Sequence, residues 1–299
     1  MPTLRDIRRR IRSVESTQKI TKAMKLVAAA KFRRAQERII EARPYATKMG
    51  ELVDGLVART SGEEAHPLLV SRSTNRKRLV VITADKGLCG AFNANILRES
   101  LRFLRGAEEA SVTLVVVGKK ARDFYRRRQF TIKSEMIGFM DRLAYSHAQE
   151  LANGLMQDFL GDEVDEVHLM YNEFRSVAVQ HPVRKQLLPL GASEVGEKES
   201  ESDTDAETQD EYIYEPGPET ILASLLPRHV TTQVYRALME SVAGEYGARM
   251  TAMEAASKNA RDMINFLTIQ YNKARQERIT KELLDIVGGA EALRQSVEA

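Results

Sequence analysis

After Pro227 the chain contains no further proline, and glycine recurs only at Gly244, Gly247, Gly288 and Gly289. Met253, Ala256, Ala260, Met263, Leu267, Gln270 and Ala274 follow an alternating three–four spacing, the period of a coiled-coil seam. The start of the chain is the counterpart. From Thr3 to about Leu56 there is no glycine before Gly50 and one proline, Pro44, which is expected to kink or split the helix. Leu4, Ile7, Ile11 and Val14 form one apolar stripe; Ala28, Ala35, Ile39, Ala42, Ala46, Met49, Val53 and Leu56 form another, whose alanines let a partner helix approach closely. Roughly 60 helical residues at ~1.5 Å each span about 90 Å, whereas a compact chain of this size has a radius of gyration near ~19 Å. The C-terminal helix is therefore expected to protrude, paired for part of its length with the N-terminal one. Its apolar seam predicts a surrounding partner. The alternative is two or three ordinary helices broken at Gly244 and Gly247.

The middle has a different period. Arg78–Thr83 is a short β-branched run and reads as a buried strand, followed by a turn holding Gly87 and Gly90 and a helix from about Asn93 to Arg105. Strands are expected at Val112–Val117, Thr131–Ile137, Val164–Tyr171 and Val177–Arg184, the last two as a hairpin, with helices at Lys119–Arg128 and Ala144–Leu160. Alternation of this kind predicts a Rossmann-like α/β domain with a mainly parallel sheet. Residues 191–211 are nearly free of apolar side chains and read as a flexible acidic loop. Tyr212–Glu215 reads as a return strand, and Pro218 opens a short helix ending near Leu226. The expected division is 1–58 for the N-terminal coil helix, 76–190 for the α/β domain, 191–211 for the loop, 212–226 for a return to the domain and 227–299 for the C-terminal coil helix.

The formal charge of +3 hides an asymmetry: residues 1–48 hold 14 Lys/Arg against 4 Asp/Glu, and residues 194–219 hold 11 Asp/Glu against one lysine. An anionic partner is expected: nucleic acid, a membrane surface or an acidic protein loop. No apolar run approaches the ~18 residues of a membrane span. Met1–Arg12 lacks the apolar stretch of a secretory signal, so the chain is expected to stay in the cytoplasm. One cysteine, Cys89, excludes an internal disulfide framework and a cysteine zinc site.

The turn Thr83-Ala-Asp-Lys-Gly-Leu-Cys-Gly90 lies between a strand and a helix, where α/β folds bind phosphate. Its glycines read GxxG, neither GxGxxG nor GxxxxGK[ST]. A tight surface turn with a charged tip, Asp85 and Lys86, suits it better than a nucleotide site. His66, His147, His168, His181 and His229 form no ligand or triad pattern, which makes Cys89 a buried thiol rather than a nucleophile. Glu163, Asp165 and Glu166 read as a solvated strand edge. Arg8-Arg9-Arg10 and Lys31-Phe-Arg-Arg34 resemble a zipper protein's basic half in composition, but they carry their own apolar stripe, unlike a DNA-reading helix. A nucleotide-using α/β enzyme and a basic coiled-coil nucleic-acid binder remain as alternatives on pattern alone. Nothing calls for a cofactor or a metal.

Two stretches carry a resemblance. The start, Leu4 through Lys31 (LRDIRRRIRSVESTQKITKAMKLVAAAK), and the end, Tyr271 through Ala290 (YNKARQERITKELLDIVGGA), are similar to the gamma subunit of the bacterial F-type ATP synthase. The end fits the signature I-T-x-E-x-x-[DE]-x-x-x-G-A from Ile279 through Thr280, Glu282, Asp285, Gly289 and Ala290. Asp85–Gly90 and Tyr212–Pro216 also resemble that family, in the right order along nearly the whole chain.

The resemblance implies an antiparallel coiled coil of the two terminal helices beside an α/β domain. It also implies a central-stalk rotor coupling proton or sodium flow to ATP synthesis and hydrolysis in the beta subunits, with no catalysis of its own. Arg275, Gln276, Arg249, Met24, Lys25, Lys86 and Cys89 fall at positions that meet beta. Leu283, Leu284, Ile286 and Val287 resemble the tip held in the ring's sleeve, and Tyr212, Tyr214 and Glu215 the foot that meets epsilon and the membrane c-ring. Alpha and beta subunits, epsilon and the c-ring are the implied partners, with no nucleic acid and no small-molecule substrate. The implied location is peripheral, on the cytoplasmic face of the bacterial cell membrane. The acidic stretch Glu194–Glu211 is longer than the family pattern and lacks the paired cysteines of the chloroplast form.

Overall fold

A computed structural model describes residues 3–59, 66–72, 76–106, 111–174, 176, 180–190 and 217–298. Five strands, five α-helices and two 3-10 turns are formed by them. The acidic loop and the strand expected at Tyr212–Glu215 lie outside the described residues. The chain divides into two compact units, Met1–Val27 with Met250–Ala299 and Ala28–Arg249, and both long helices contribute to each.

Helix α1 runs Leu4–Arg59 without interruption at Pro44. Proline removes one helical donor and crowds the preceding turn. Here Phe32, Met49, Val53 and Leu56 are buried on both sides of it, so core packing keeps in one piece a helix that the local rule would let split. The same correction applies at Pro227. The long C-terminal helix, α5, begins at Pro218 and continues to Glu298, where a separate short helix ending near Leu226 was expected. Leu222, Leu226, Val230 and Val234 form one buried stripe across Pro227. Helix α5 also passes unbroken through Gly244 and Gly247. At Gly244 an added Cβ would stand 3.2 Å from the Phe92 ring, so the small residue permits close approach there.

The first unit is an antiparallel helix pair. Lys25 bonds Glu254 at 2.6 Å, and Arg8 bonds the Tyr271 hydroxyl at 2.5 Å. Seventeen residues back along α1 match seventeen forward along α5, as antiparallel register requires. Ile7, Thr21, Met253, Ala260 and Leu267 are buried in it. On α5 the inward positions run 253, 260, 267, with Ile264 partly covered between the last two and Tyr271 partly covered one step beyond, while Met263 is 54 % exposed and Gln270 is exposed. The expected stripe placed Met263 and Gln270 inside. The observed seam has the same mean step of 3.5 residues but takes its four-residue steps where the expected stripe takes three, so their C-terminal neighbours are covered instead. On α1 the seam continues between its two apolar stripes through Gln18 and Thr21, and the Thr21 hydroxyl donates to the Gln18 carbonyl at 3.0 Å.

The second unit holds the sheet, in order β3-β2-β1-β4-β5. Strands β1 (Arg76–Ile82), β2 (Ser111–Val117), β3 (Ile132–Met136) and β4 (Glu166–Phe174) run parallel, and β5 (Gln180–Leu188) pairs antiparallel with β4. Leu79, Val80, Val81 and Ile82 are all fully buried because β1 is covered on both faces. Leu79, Val81, Leu114 and Val116 meet α2 (Phe92–Gly106) and α3 (Lys119–Arg126). Val80, Ile82, Val115 and Val117 share the larger core with α4 (Tyr145–Leu160) and with the parts of α1 and α5 in this unit. From β1 the chain winds one way to β2 and β3, then returns to the other side for β4, so a topological switch point lies beside the C-terminal end of β1.

Candidate functional site

The turn after β1 occupies that switch point, the place where open α/β sheets bind ligands. Its neighbour, the start of α3, is filled from within the chain. The Lys119 N–H donates to Asp85 at 3.0 Å, the Lys120 N–H to the Ala84 carbonyl at 3.2 Å and the Ala121 N–H to the Thr83 hydroxyl at 2.9 Å. Asp85 also accepts from the Gly138 N–H at 3.0 Å. A phosphate seeking these donors would meet a carboxylate already on them. The tight packing rests on Gly118, at φ +90, where a Cβ would fall 2.1 Å from the Thr83 carbonyl oxygen.

Asn93 braces the turn, accepting from the Ala84 N–H at 2.9 Å and donating to Cys89 Sγ at 3.1 Å. Cys89 is 1 % exposed, and burial pushes its thiol up, the opposite of what a nucleophile needs. The neighbouring Leu88 is 65 % exposed at φ 61, a left-handed conformation uncommon for a leucine. The resemblance had drawn attention to Cys89. The side chain the turn presents outward is Leu88, and no periodic pattern marks it in the sequence.

Around this turn the chain assembles charges from four distant segments. Asp141 accepts from Lys86 at 2.7 Å, Lys31 at 2.9 Å and the Tyr246 hydroxyl at 2.6 Å. The Lys86 bond, then those of Tyr246 and Lys31, hold the Asp141 carboxyl far below the usual carboxylate range. Burial, reinforced by that carboxylate, pushes the Tyr246 phenol above its ordinary value. One residue earlier, Glu245 is 5 % exposed and bonds Arg249 at 2.7 Å. Burial raises the Glu245 pKa, against the pull of Arg249. Arg249 in turn donates to the Gly87 carbonyl at 3.2 Å. Lys86, Cys89 and Arg249, nominated separately, thus meet in one cluster. Sequence spacing gave no sign of Asp141, Glu245 and Tyr246, which join them.

The other nominated residues lie in the helix pair. Met24 is half-buried, Lys25 is tied to Glu254, and Arg275 and Gln276 are exposed. The register set by Arg8 and Tyr271 puts Leu4, the first residue of α1, opposite Arg275. Beyond it Leu283, Leu284, Ile286 and Val287 are 57, 65, 68 and 64 % exposed. Tyr212, Tyr214 and Glu215 fall outside the described residues. Among the described residues no group of three His, Cys, Asp or Glu can hold a metal ion, and no helix is long and apolar enough to cross a membrane.

The chain thus combines a long antiparallel helix pair with an α/β sheet at whose switch point the α3 donors are already bonded within the chain. Comparison with known proteins shows the class. The family model described as ATP synthase matches residues 3–293. The ATP synthase gamma chain of Heliobacterium modesticaldum is 48% identical over 293 residues, 98% of this chain and 100% of that one. That of Anaeromyxobacter sp. strain K is 50% identical over 300 residues, with the same coverage. A solved structure of the Tetrahymena thermophila mitochondrial ATP synthase central stalk and c-ring contains a chain 28% identical to this one. Its TM-score is 0.58, covering 80% of this chain and 99% of that one. A chain of the Euglena gracilis mitochondrial ATP synthase is similar in fold, with TM-score 0.67 at 22% identity, covering 99% and 96%. The chain belongs to the ATP synthase gamma-chain family. Its role is that of the non-catalytic central-stalk rotor of an F-type ATP synthase, peripheral to the membrane through the complex.

Proposed function

We propose that this rotor acts on the catalytic beta subunits through Arg275, Gln276, Arg249, Met24, Lys25 and the turn carrying Lys86 and Cys89. In this reading Leu283, Leu284, Ile286 and Val287 turn in an apolar sleeve of the alpha–beta ring. Tyr212, Tyr214 and Glu215 belong to the foot on epsilon and the c-ring, at the cytoplasmic face of a bacterial membrane. Residues 1–58 and 227–299 serve as the shaft and 76–190 as the attached domain. Torque passes because each face of an asymmetric shaft favours a different conformation of the subunit it meets.

The observation that carries the reading is the exposed apolar end of α5, which runs past the start of α1 with four large apolar side chains open to solvent. An isolated helix gains nothing from such residues, and a surrounding sleeve buries them at roughly 25 cal/mol per Å². The test is co-expression with alpha and beta chains, followed by gel filtration and single-molecule rotation. A stoichiometric complex in which ATP hydrolysis turns this chain is the expected result. An alpha–beta ring that elutes without it overturns the assignment.

A further inference from the structure

In the second unit α2 and α3 lie side by side over one face of the sheet. Their outer surface is strongly basic: residues 92–106 and 119–128 hold nine Lys/Arg against two Asp/Glu. Arg98, Arg102 and Arg105, spaced four and three apart, form one exposed row along α2. Lys119, Lys120, Arg126 and Arg127 are exposed on α3 and the turn after it. The carboxylates of this face are already taken. Arg102 holds Glu99 at 2.8 Å, Arg122 holds Asp123 at 2.8 Å, and Arg126 holds Glu135 of β3 at 2.9 Å. Among the described residues Arg98, Arg105, Lys119, Lys120 and Arg127 form no ion pair.

We propose that this basic face is the docking surface for the chain's own acidic segment, Glu194–Glu211. Charge is the first argument: that segment holds nine Asp/Glu against Lys198 alone, the complement of the face in sign and in number. Position is the second. Strand β5 reaches the same side of the sheet, where the Arg184 guanidinium lies 4.8 Å from the centre of the Phe103 ring of α2. It ends with Leu188 opposite Val167, at the edge where the parallel strands begin. Helices α2 and α3 each return to that edge, the one toward β2 and the other toward β3, so Arg105 and Arg127 stand near it. Glu194 follows Leu190 by four residues. Reach is the third. Half of the residues from 191 to 216, extended at ~3.3 Å each, cover about 40 Å, whereas five strands span about 19 Å. Tethering decides the occupant: a segment linked this closely acts at about millimolar effective concentration, above a free acidic partner of equal charge. From Glu197 to Glu211 the segment carries no Val, Ile, Leu, Phe or Met, so the contact is ionic and salt weakens it. The inference stands apart from the rotor reading above.

The experiment uses the full chain in dilute solution. The photoreactive residue p-benzoylphenylalanine replaces Ala206, which removes no charge from the segment, and light and heavy-isotope copies are mixed before irradiation. Mass spectrometry then locates the cross-links. The expected product joins residue 206 to residues 98–105 or 119–128 of the same copy, and its yield falls severalfold between 50 and 500 mM salt. Arg98→Glu, Arg105→Glu and Arg127→Glu together lower the yield at least tenfold, with the urea midpoint confirming that this variant is folded. Adding Glu201→Lys, Asp203→Lys and Asp205→Lys to it restores most of the yield, which a merely tethered segment would not do. Light–heavy products would give the face to a second copy. Loss of the cross-link on adding phosphatidylglycerol vesicles would give it to a membrane surface, and loss on adding double-stranded DNA to nucleic acid. Any of these, cross-links elsewhere on the chain, no product at all, or a yield indifferent to charge reversal would overturn the proposal.

Discussion

Lys86 and Asp141 meet at 2.7 Å although 55 residues separate them. The same carboxylate holds Lys31 of α1 and Tyr246 of α5, so one side chain joins the switch-point turn to both long helices. Replacing it with asparagine keeps the shape and removes the charge. The lysine pairs are partly exposed, each worth about 0–1 kcal/mol, and the hydroxyl bond adds about 1 kcal/mol. Asp141→Asn is expected to destabilise the chain by about 1–2 kcal/mol, read from the urea midpoint of dilute isolated protein. An unchanged midpoint would show that the cluster is only a surface arrangement.

The pH dependence has a definite sign. Asp141 has a folded pKa depressed below its unfolded value. Its contribution is therefore fully present above the ordinary carboxylate pKa of about 3.9 and is lost as pH falls toward the folded value. Glu245 is shifted the other way, so its contribution is present at low pH and lost as pH rises through its raised pKa. Between about pH 5 and pH 3 the wild-type melting temperature should fall more steeply than that of Asp141→Asn. Parallel curves would contradict the assignment of the Asp141 shift to the folded state.

Glu245 and Arg249 have side chains only 7 and 10 % exposed and lie one helical turn apart. Removing one member of such a pair leaves a buried charge, at a cost of about 3–5 kcal/mol, whereas replacing both with apolar residues is often close to neutral. Glu245→Leu alone should destabilise strongly, and Glu245→Leu with Arg249→Met should recover most of the loss. Additive losses in this double-mutant cycle would mean that the two residues act independently.

Calorimetry on the isolated chain should detect no micromolar binding of ATP or ADP, and no ATP turnover should accompany it. The reason is local: the first three N–H groups of α3 already bond Asp85, Ala84 and Thr83. Micromolar affinity would require a phosphate site elsewhere on the chain.

Much of the fold is legible in the sequence because its signals are local. The run Leu79–Ile82 can satisfy both its apolar side chains and its backbone only inside a sheet, and the structure places it there. The two prolines mislead for the complementary reason. Helix-breaking chemistry at Pro44 and Pro227 is local, but the buried stripes that span them belong to the tertiary core. Met263 and Gln270 lie just off the true seam, and only the partner helix reveals the phase. The Asp141 cluster lies beyond any spacing rule. Its members come from residues 31, 86, 141 and 246, each unremarkable where it stands in the chain.

Arg275 and Gln276 stand where α5 loses its companion, opposite the first residue of α1 in the register set by Arg8 and Tyr271. Both are exposed, and neither occupies the inward seam that runs through Leu267, Tyr271 and Ala274. An arginine fork there can hold a carboxylate or a carbonyl bidentately, a geometry lysine does not reproduce. If the pair engages beta at one rotary angle and releases it at the next, it contributes a state-dependent bias rather than static stability. Arg275→Ala with Gln276→Ala should therefore leave folding and assembly intact on gel filtration while lowering ATP hydrolysis, or its coupling to ion pumping, severalfold. Arg275→Lys should restore only part of the loss, because charge returns without the fork. Normal assembly with unchanged turnover and unchanged pumping would reject the role of these two residues and leave the rotor itself standing.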